Sequence, residues 1–198
     1  IGKEICDYVL TEMVHDQGGF FSTTCADSEC IEGKFFLWSK QEIEKALGKK
    51  DGEIFCKIFQ IIDPHIPWEN ISFRGGTPPH DWFYGKVLHL KRDLKKDLKE
   101  HNKTLDDFYL WRKKLFDIRK KRVAPLRDEK VLTSWNGLMS SALAKAYRVT
   151  GEKKYLEAAV KNINFIWKSL QENGRLKSSW KDGITKHHGT LEDYANVA

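Results

Sequence analysis

The chain has 198 residues, 40% of them hydrophobic and 12% aromatic, which suits one domain of ordinary core size. No apolar run of about 18 residues and no basic-then-apolar leader occurs, so neither a membrane span nor a secretory signal is expected. Lysine and arginine number 34 against 28 acidic residues, a net charge of +6. Much of the excess lies between Lys91 and Arg127, interleaved with Asp93, Asp97, Glu100, Asp106, Asp107 and Asp117. That mixture reads as a solvated helix surface and predicts no nucleic-acid partner.

In chain order, residues 1–15 place Ile5, Val9 and Met13 on one helical face, ended by Gly18-Gly19. Phe20-Phe21-Ser22 leaves in extended form, and 35–38 reads as a short aromatic strand. Ser39 and Glu42 form a capping box for a short helix ending at Gly48, and a second follows through Ile54, Phe55, Ile58 and Ile61. From Asp63 to Gly85, four prolines and three glycines break the pattern, so strand is expected only in short pieces near 71–90. Thr104 caps a long helix, 104–122, which must stop before Pro125. Helix 137–149 is small and apolar nearly all round, as if covered on most sides, and pairs across Gly151 with amphipathic helix 153–170. Leu191 starts a further helix.

One pattern repeats: a helix followed by Asp16-Gln17-Gly18-Gly19-Phe20-Phe21-Ser22, then another followed by Glu172-Asn173-Gly174-Arg175-Leu176-Lys177-Ser178. Self-similar helix pairs with such exits suggest stacked helical hairpins, a solenoid or closed toroid. The cysteines Cys6, Cys25, Cys30 and Cys56 contain no Cys-x-x-Cys pair. Cys25 and Cys30 with His80 or His89 are a poor match to zinc spacing, so reduced, mostly packed thiols in a cytoplasmic protein are expected, with no metal and no cofactor.

The run Ala26-Asp27-Ser28-Glu29, then Glu32-Gly33-Lys34-Phe35-Phe36-Leu37-Trp38, resembles the thioredoxin-domain-containing spermatogenesis-associated protein 20 family and its YyaL-like members. So does Leu115-Phe116-x-x-Arg119-x-x-Arg122-x-x-Pro125-x-x-Asp128-x-Lys130-Val131-Leu132-Thr133-Ser134-Trp135-Asn136-Gly137-Leu138-Met139, followed by Leu191-Glu192-Asp193-Tyr194-Ala195. The resemblance implies a mainly α fold: the N-terminal part of one (α/α)6 toroid, six-hairpin glycosidase-like, with a small irregular β insertion. It also implies an upstream thioredoxin-like domain and later hairpins outside residues 1–198. The chain departs from the family where Cys25-Ala26-Asp27-Ser28-Glu29-Cys30 replaces Asp-Ala-Asp-Ser-Glu-Gly, and it lacks the family's Gly-Asn-x-Glu-Gly turn.

In such a toroid, loops entering the inner helices ring one end of a cavity. Asp128 is then a candidate catalytic group, with Lys130, Trp135 and Asn136 binding a sugar-like ligand. The structural reading is that Thr133 or Ser134 caps the helix, Asp128 pairs with Lys130, and Trp135 fills the core. Asp27 joins the catalytic candidates, with Glu29 and Glu32 as binding groups, against a reading as turn carboxylates with a salt bridge to Lys34. Glu192 and Asp193 are catalytic candidates and Tyr194 a binding one, although acidic residues at a helix start are favoured by the dipole alone. His187 and His188 lie just upstream as candidate proton carriers. The function expected is epimerase- or hydrolase-like acid–base chemistry on a sugar-like substrate; the alternative is a non-catalytic binding or scaffold module for the thioredoxin-like domain. The partners expected are that ligand and the remainder of its own chain, with no membrane.

Overall fold

A computed structural model of the chain describes residues 1–61 and 87–198. In chain order the elements are α1 (Gly2–Glu12), β1 (Thr23–Thr24), β2 (Asp27–Ser28), β3 (Ile31–Glu32), a 3-10 turn (Lys34–Phe36), α2 (Lys40–Leu47) and α3 (Lys49–Ile58). After the undescribed stretch come α4 (Leu94–Glu100), α5 (Leu105–Arg119), β4 (Arg127–Asp128), β5 (Val131–Leu132), α6 (Thr133–Thr150) and α7 (Lys153–Ser169). The chain finishes with β6 (Gln171–Glu172), β7 (Arg175–Lys181), β8 (Ile184–His188) and α8 (Leu191–Val197). The fold is mainly helical, as the sequence predicts, and carries small antiparallel sheets. The expected excursion from Asp63 to Gly85, and the strand pieces expected at 71–86, lie outside the described residues, as does His80; residues 87–90 have no regular structure. Among the described residues, no helix is long and apolar enough to cross a membrane.

The residues group into two compact units. The first contains Ile1–Thr24 and Arg127–Ala198. Its centre is the α6–α7 hairpin, turned at Gly151, which takes the left-handed conformation that glycine adopts without a Cβ clash. Tyr155 and Ala159 of α7 and Leu143 of α6 pack with Cys6 of α1 and Phe20. Phe165, Ile166 and Leu170 pack with Val131, Leu176 and Trp180 under the sheet. α6 begins four residues earlier than expected and is covered less fully, since Trp135 and Leu138 are exposed along one face.

The sheet is the main departure from the sequence reading. β7 pairs with β5, β6 and β8, all antiparallel. Two tight turns make it: Asn173-Gly174 joins β6 to β7 and Asp182-Gly183 joins β7 to β8, all four residues at positive φ. Asn-Gly and Asp-Gly are the preferred pairs for a type I′ turn, whose twist matches the strands it connects. The repeat noticed in sequence has a structural counterpart, because α1 also runs into a return in which Val14 bridges Phe20.

The second unit is Cys25–Leu126. Ser39 and Glu42 form the expected capping box on α2, and Thr104 caps α5 with Asp107. Trp38, Ile43, Phe55, Leu98, Trp111 and Leu115 form its core. Asp51 accepts from the Trp111 indole at 3.0 Å and pairs with Lys103 at 2.6 Å. The strand expected at 35–38 is instead a 3-10 turn, entered through Gly33 at φ 73°. Arg122 holds it there, donating to the carbonyls of Phe35 and Leu37, pairing with Glu42 and lying 4.1 Å from the Trp38 ring centre.

β2 and β3 form a third two-residue hairpin, whose turn residues Glu29 and Cys30 stand at φ 53° and 62° without a glycine. A side chain in the left-handed region costs roughly 1–2 kcal/mol per residue. Cys30→Gly is therefore expected to stabilise the protein by about 1 kcal/mol, read as a higher midpoint in urea unfolding. A second prediction concerns acid. The Lys103 hydrogen bond, helped by the Trp111 N–H and opposed by burial, holds the Asp51 carboxyl below its ordinary 3.8. Its stabilising effect is thus complete above the unfolded-state value and lost as pH falls through the folded one. Asp51→Asn should flatten the dependence of melting temperature on pH below about 4 while leaving its shape above that unchanged.

Candidate functional site

α6 follows β5 without a linker, so its first N–H groups lack a cap from the preceding chain: Leu132 stands at the N-cap with no side-chain bond. The missing acceptor comes from 59 residues downstream, where Asp193 Oδ1 takes the Ser134 N–H at 3.0 Å. The other oxygen, Oδ2, accepts from the Thr190 N–H and hydroxyl at 2.8 and 3.0 Å and from the Ser178 hydroxyl at 2.7 Å. Asp193 is only 4% exposed, and one carboxylate thus caps α6 and α8 and holds β7.

Around it the contacts continue. The Ser134 hydroxyl donates to Glu192 Oε1 at 3.0 Å and accepts from the Asn196 amide at 2.8 Å. Thr133 bonds the Lys177 carbonyl, and the Tyr194 hydroxyl accepts the Leu176 N–H at 3.0 Å. Gly137 lets the end of α8 come close, since a Cβ there would stand 2.2 Å from the Asn196 carbonyl oxygen. Asn136 is buried and clamps Phe20, accepting its N–H at 2.7 Å and donating to its carbonyl at 3.0 Å and to Leu132 at 2.8 Å.

The structure therefore gathers Trp135, Asn136, Glu192, Asp193 and Tyr194 at the starts of α6 and α8. Asn136 and Asp193 spend their polar atoms on the fold's own groups. Trp135 is 53% exposed and does not fill the core. Thr133 and Ser134 make tertiary bonds and do not cap their own helix. Glu192 is exposed, and among the described residues only its Oε1 is engaged. Asp128 and Lys130 form a separate pair on the β4–β5 link, at 3.1 Å between side chains with the Lys130 N–H at 3.2 Å. The Lys130 hydrogen bond holds the Asp128 carboxyl below the usual carboxylate range, so it is ionised at neutral pH.

Asp27, Glu29 and Glu32 belong to the second unit: Asp27 faces Glu32 across the hairpin, and Glu29 pairs with Lys34 at 3.0 Å. Cys25 and Cys30 are exposed free thiols, whereas Cys6 and Cys56 are packed. Cys30 sits at the hairpin turn, whereas Cys25 precedes the hairpin and accepts the Asp27 N–H on its sulfur at 3.4 Å. His187 and His188 lie on β8, exposed. No group of three His, Cys, Asp or Glu among the described residues is arranged to hold a metal ion. Ser178, Thr190 and Asn162 also belong to the network around Asp193 and Asn136, although none is a sequence-predicted candidate. The Thr190-x-x-Asp193 capping pattern is a sequence signal for Thr190 alone; Ser178 reaches Asp193 through the sheet and has no local signal. Asn162 is fully buried and ties the Asn136 carbonyl and Ser140 across the hairpin at 2.9 and 2.8 Å.

If Asp193 frames the site, Asp193→Ala should cost at least about 3 kcal/mol, because four donors lose a charged acceptor in a buried place. Glu192→Ala should cost under about 1 kcal/mol. Chemical unfolding of both variants checks the contrast.

The family described as D-glucuronyl C5-epimerase C-terminus matches residues 133–195, which run from the first residue of α6 into α8. An uncharacterised protein, B0495.5, from Caenorhabditis elegans is 32% identical over 86% of this chain and 25% of its own length. Spermatogenesis-associated protein 20 from Homo sapiens is 28% identical over 100% of this chain and 28% of its own. The protein of that name from Rattus norvegicus is also 28% identical over the same shares. The chain thus spans about a quarter of the length of these relatives. Its first unit carries a carbohydrate-epimerase-like segment.

Proposed function

Starting from a chain of the spermatogenesis-associated protein 20 family with an epimerase-like segment, we propose that the first unit supplies one wall of a sugar-handling site. Glu192 is its acid–base group. The observation that carries this reading is the division of labour between adjacent carboxylates: Asp193 is enclosed and filled, while Glu192 is exposed and fixed through one oxygen to Ser134. A carboxylate held at a helix start, with its second oxygen facing solvent, is placed to accept a proton. Trp135, exposed and next in sequence to Ser134, offers an indole face for the apolar side of a sugar ring. The Tyr194 hydroxyl accepts from the backbone and keeps its own proton to donate to a ligand. Asp128 and Lys130 are ion-paired groups that a polar ligand could engage on the β4–β5 link.

By analogy with the epimerase family, the substrate class proposed is a hexuronate. Epimerisation at the carbon next to a carboxylate requires removal of its proton, with the electron pair taken up by the carboxylate, and return of a proton on the opposite face. Glu192 is assigned the first transfer. Asn136 and Asp193 act as positioning residues, and the remainder of the chain, with its thioredoxin-like domain, is proposed to complete the site. A second reading, a binding wall without chemistry, is favoured by the internal saturation of Asn136 and Asp193.

Full-length protein incubated with hexuronate oligosaccharides in deuterated water is expected to exchange the C5 hydrogen, followed by proton NMR. Glu192→Gln should slow the exchange at least about a hundredfold with little change in melting temperature. Saturable oligosaccharide binding without exchange would select the second reading, and absence of both would refute the site.

A further inference from the structure

The acidic residues that punctuate the basic stretch in sequence are mostly consumed by the fold. Asp93 caps α4 through the Lys96 N–H at 3.0 Å. Asp97 and Glu100 both bind Arg92, at 2.5 and 2.9 Å. Asp107 is committed to the Thr104 cap. The sequence there is sharply uneven, because residues 112–122 contain seven basic residues and only Asp117 as an acid; of the seven, Arg122 is spent on Glu42 and on the Phe35 and Leu37 carbonyls. That one stretch equals the net +6 of the whole chain.

α5 buries Trp111 and Leu115, which fixes its outward face. At helical spacing that face carries Tyr109, Lys113, Phe116 and Lys120 in a row, an alternation of ring and cation over about 16 Å. Tyr109 is 54% exposed and Phe116 41%, with Leu110 beside them at 60%. Lys120 stands 4.8 Å from the Phe116 ring centre, while Lys113 makes no ion pair among the described residues. The helix dipole accounts for cations in the last turn only, and it does not account for Lys113 or for exposed rings and an aliphatic side chain on the wet side.

We propose that this outward face of α5 docks on an anionic lipid surface, as a peripheral contact distinct from a membrane span. Charge complementarity selects an anionic partner. Leu110 selects lipid over nucleic acid: an aliphatic side chain has no base to stack on but gains by burial in the interface. Lysine ammonium groups suit a diffuse negative surface, whereas pairwise phosphate recognition favours the planar fork of arginine. The proposal replaces the sequence expectation of no membrane partner, and it is independent of the sugar-site reading.

Co-sedimentation of the protein with phosphatidylcholine vesicles, with and without roughly one third phosphatidylserine, tests it. Binding is expected only with the anionic lipid and is expected to weaken severalfold between about 0.05 and 0.5 M salt. Lys113→Glu with Lys120→Glu should reduce it about thirtyfold or more. Tyr109→Ser with Phe116→Ser should reduce it even at low salt, and circular dichroism should show both variants folded because all four side chains are solvent-facing. Vesicle binding that is absent, or within twofold of the unaltered protein in both variants, overturns the proposal. So does tighter, Lys113-dependent binding of a single-stranded oligonucleotide.

Discussion

The first unit depends on one buried carboxylate. A helix of 18 residues that starts directly after a strand has backbone N–H groups with nowhere local to bond, and burying them unpaired would cost more than most single contacts return. Asp193 meets that demand for α6 while closing the capping box of α8 and holding Ser178 of β7. Positive helix termini and a negative side chain reinforce one another in this place, so the charge is tolerated where an isolated one would not be. The placement of Glu192 follows from it, because a residue next to the shared cap cannot wander from the mouth of α6.

Asn136 does the same work by a neutral route. Its amide presents one acceptor and two donors, and all three meet backbone groups, two of them on Phe20. Phe20 is thereby fixed against Tyr155 and Leu143, joining the loop after α1 to the hairpin core. One layer deeper, Asn162 donates to the Asn136 carbonyl and the Ser140 hydroxyl, tying α7 to α6. Small residues along α6 make these short bonds geometrically available. At Gly137 even a methyl group would collide with the carbonyl of Asn196.

Helices were legible wherever apolar spacing and a local cap coincided: Ser39 with Glu42 and Thr104 with Asp107 set boundaries to within a residue or two. The start of α6 was less legible because its cap is supplied from Asp193, a long-range partner that no local window contains. The sheet was legible in principle, since Asn173-Gly174 and Asp182-Gly183 are strong hairpin signals, but the segment also shares the helix-exit pattern of residues 16–22, which leads into no comparable sheet. The aromatic run at 35–38 looked extended on propensity alone; Gly33 and Arg122, the latter 85 residues from Leu37, impose a tight turn on it. For the candidate site, residue types were readable but their commitments were not. A carboxylate, an amide and an indole in one motif look alike on paper whether they face a ligand or a backbone.

Polar residues at the mouth of a buried helix therefore carry two superposed signals, and burial separates them. Where the donors around a carboxylate are all protein groups, as at Asp193, the residue is held by the fold. Where one oxygen is fixed and the other faces solvent, as at Glu192, the same chemistry is available to something outside. Adjacent positions on α8 can hold both roles because successive helical residues point about 100° apart, one inward to the cap and the other outward. Chemistry at Glu192 would then be framed by a neighbouring carboxylate whose oxygens are already committed to the starts of two helices.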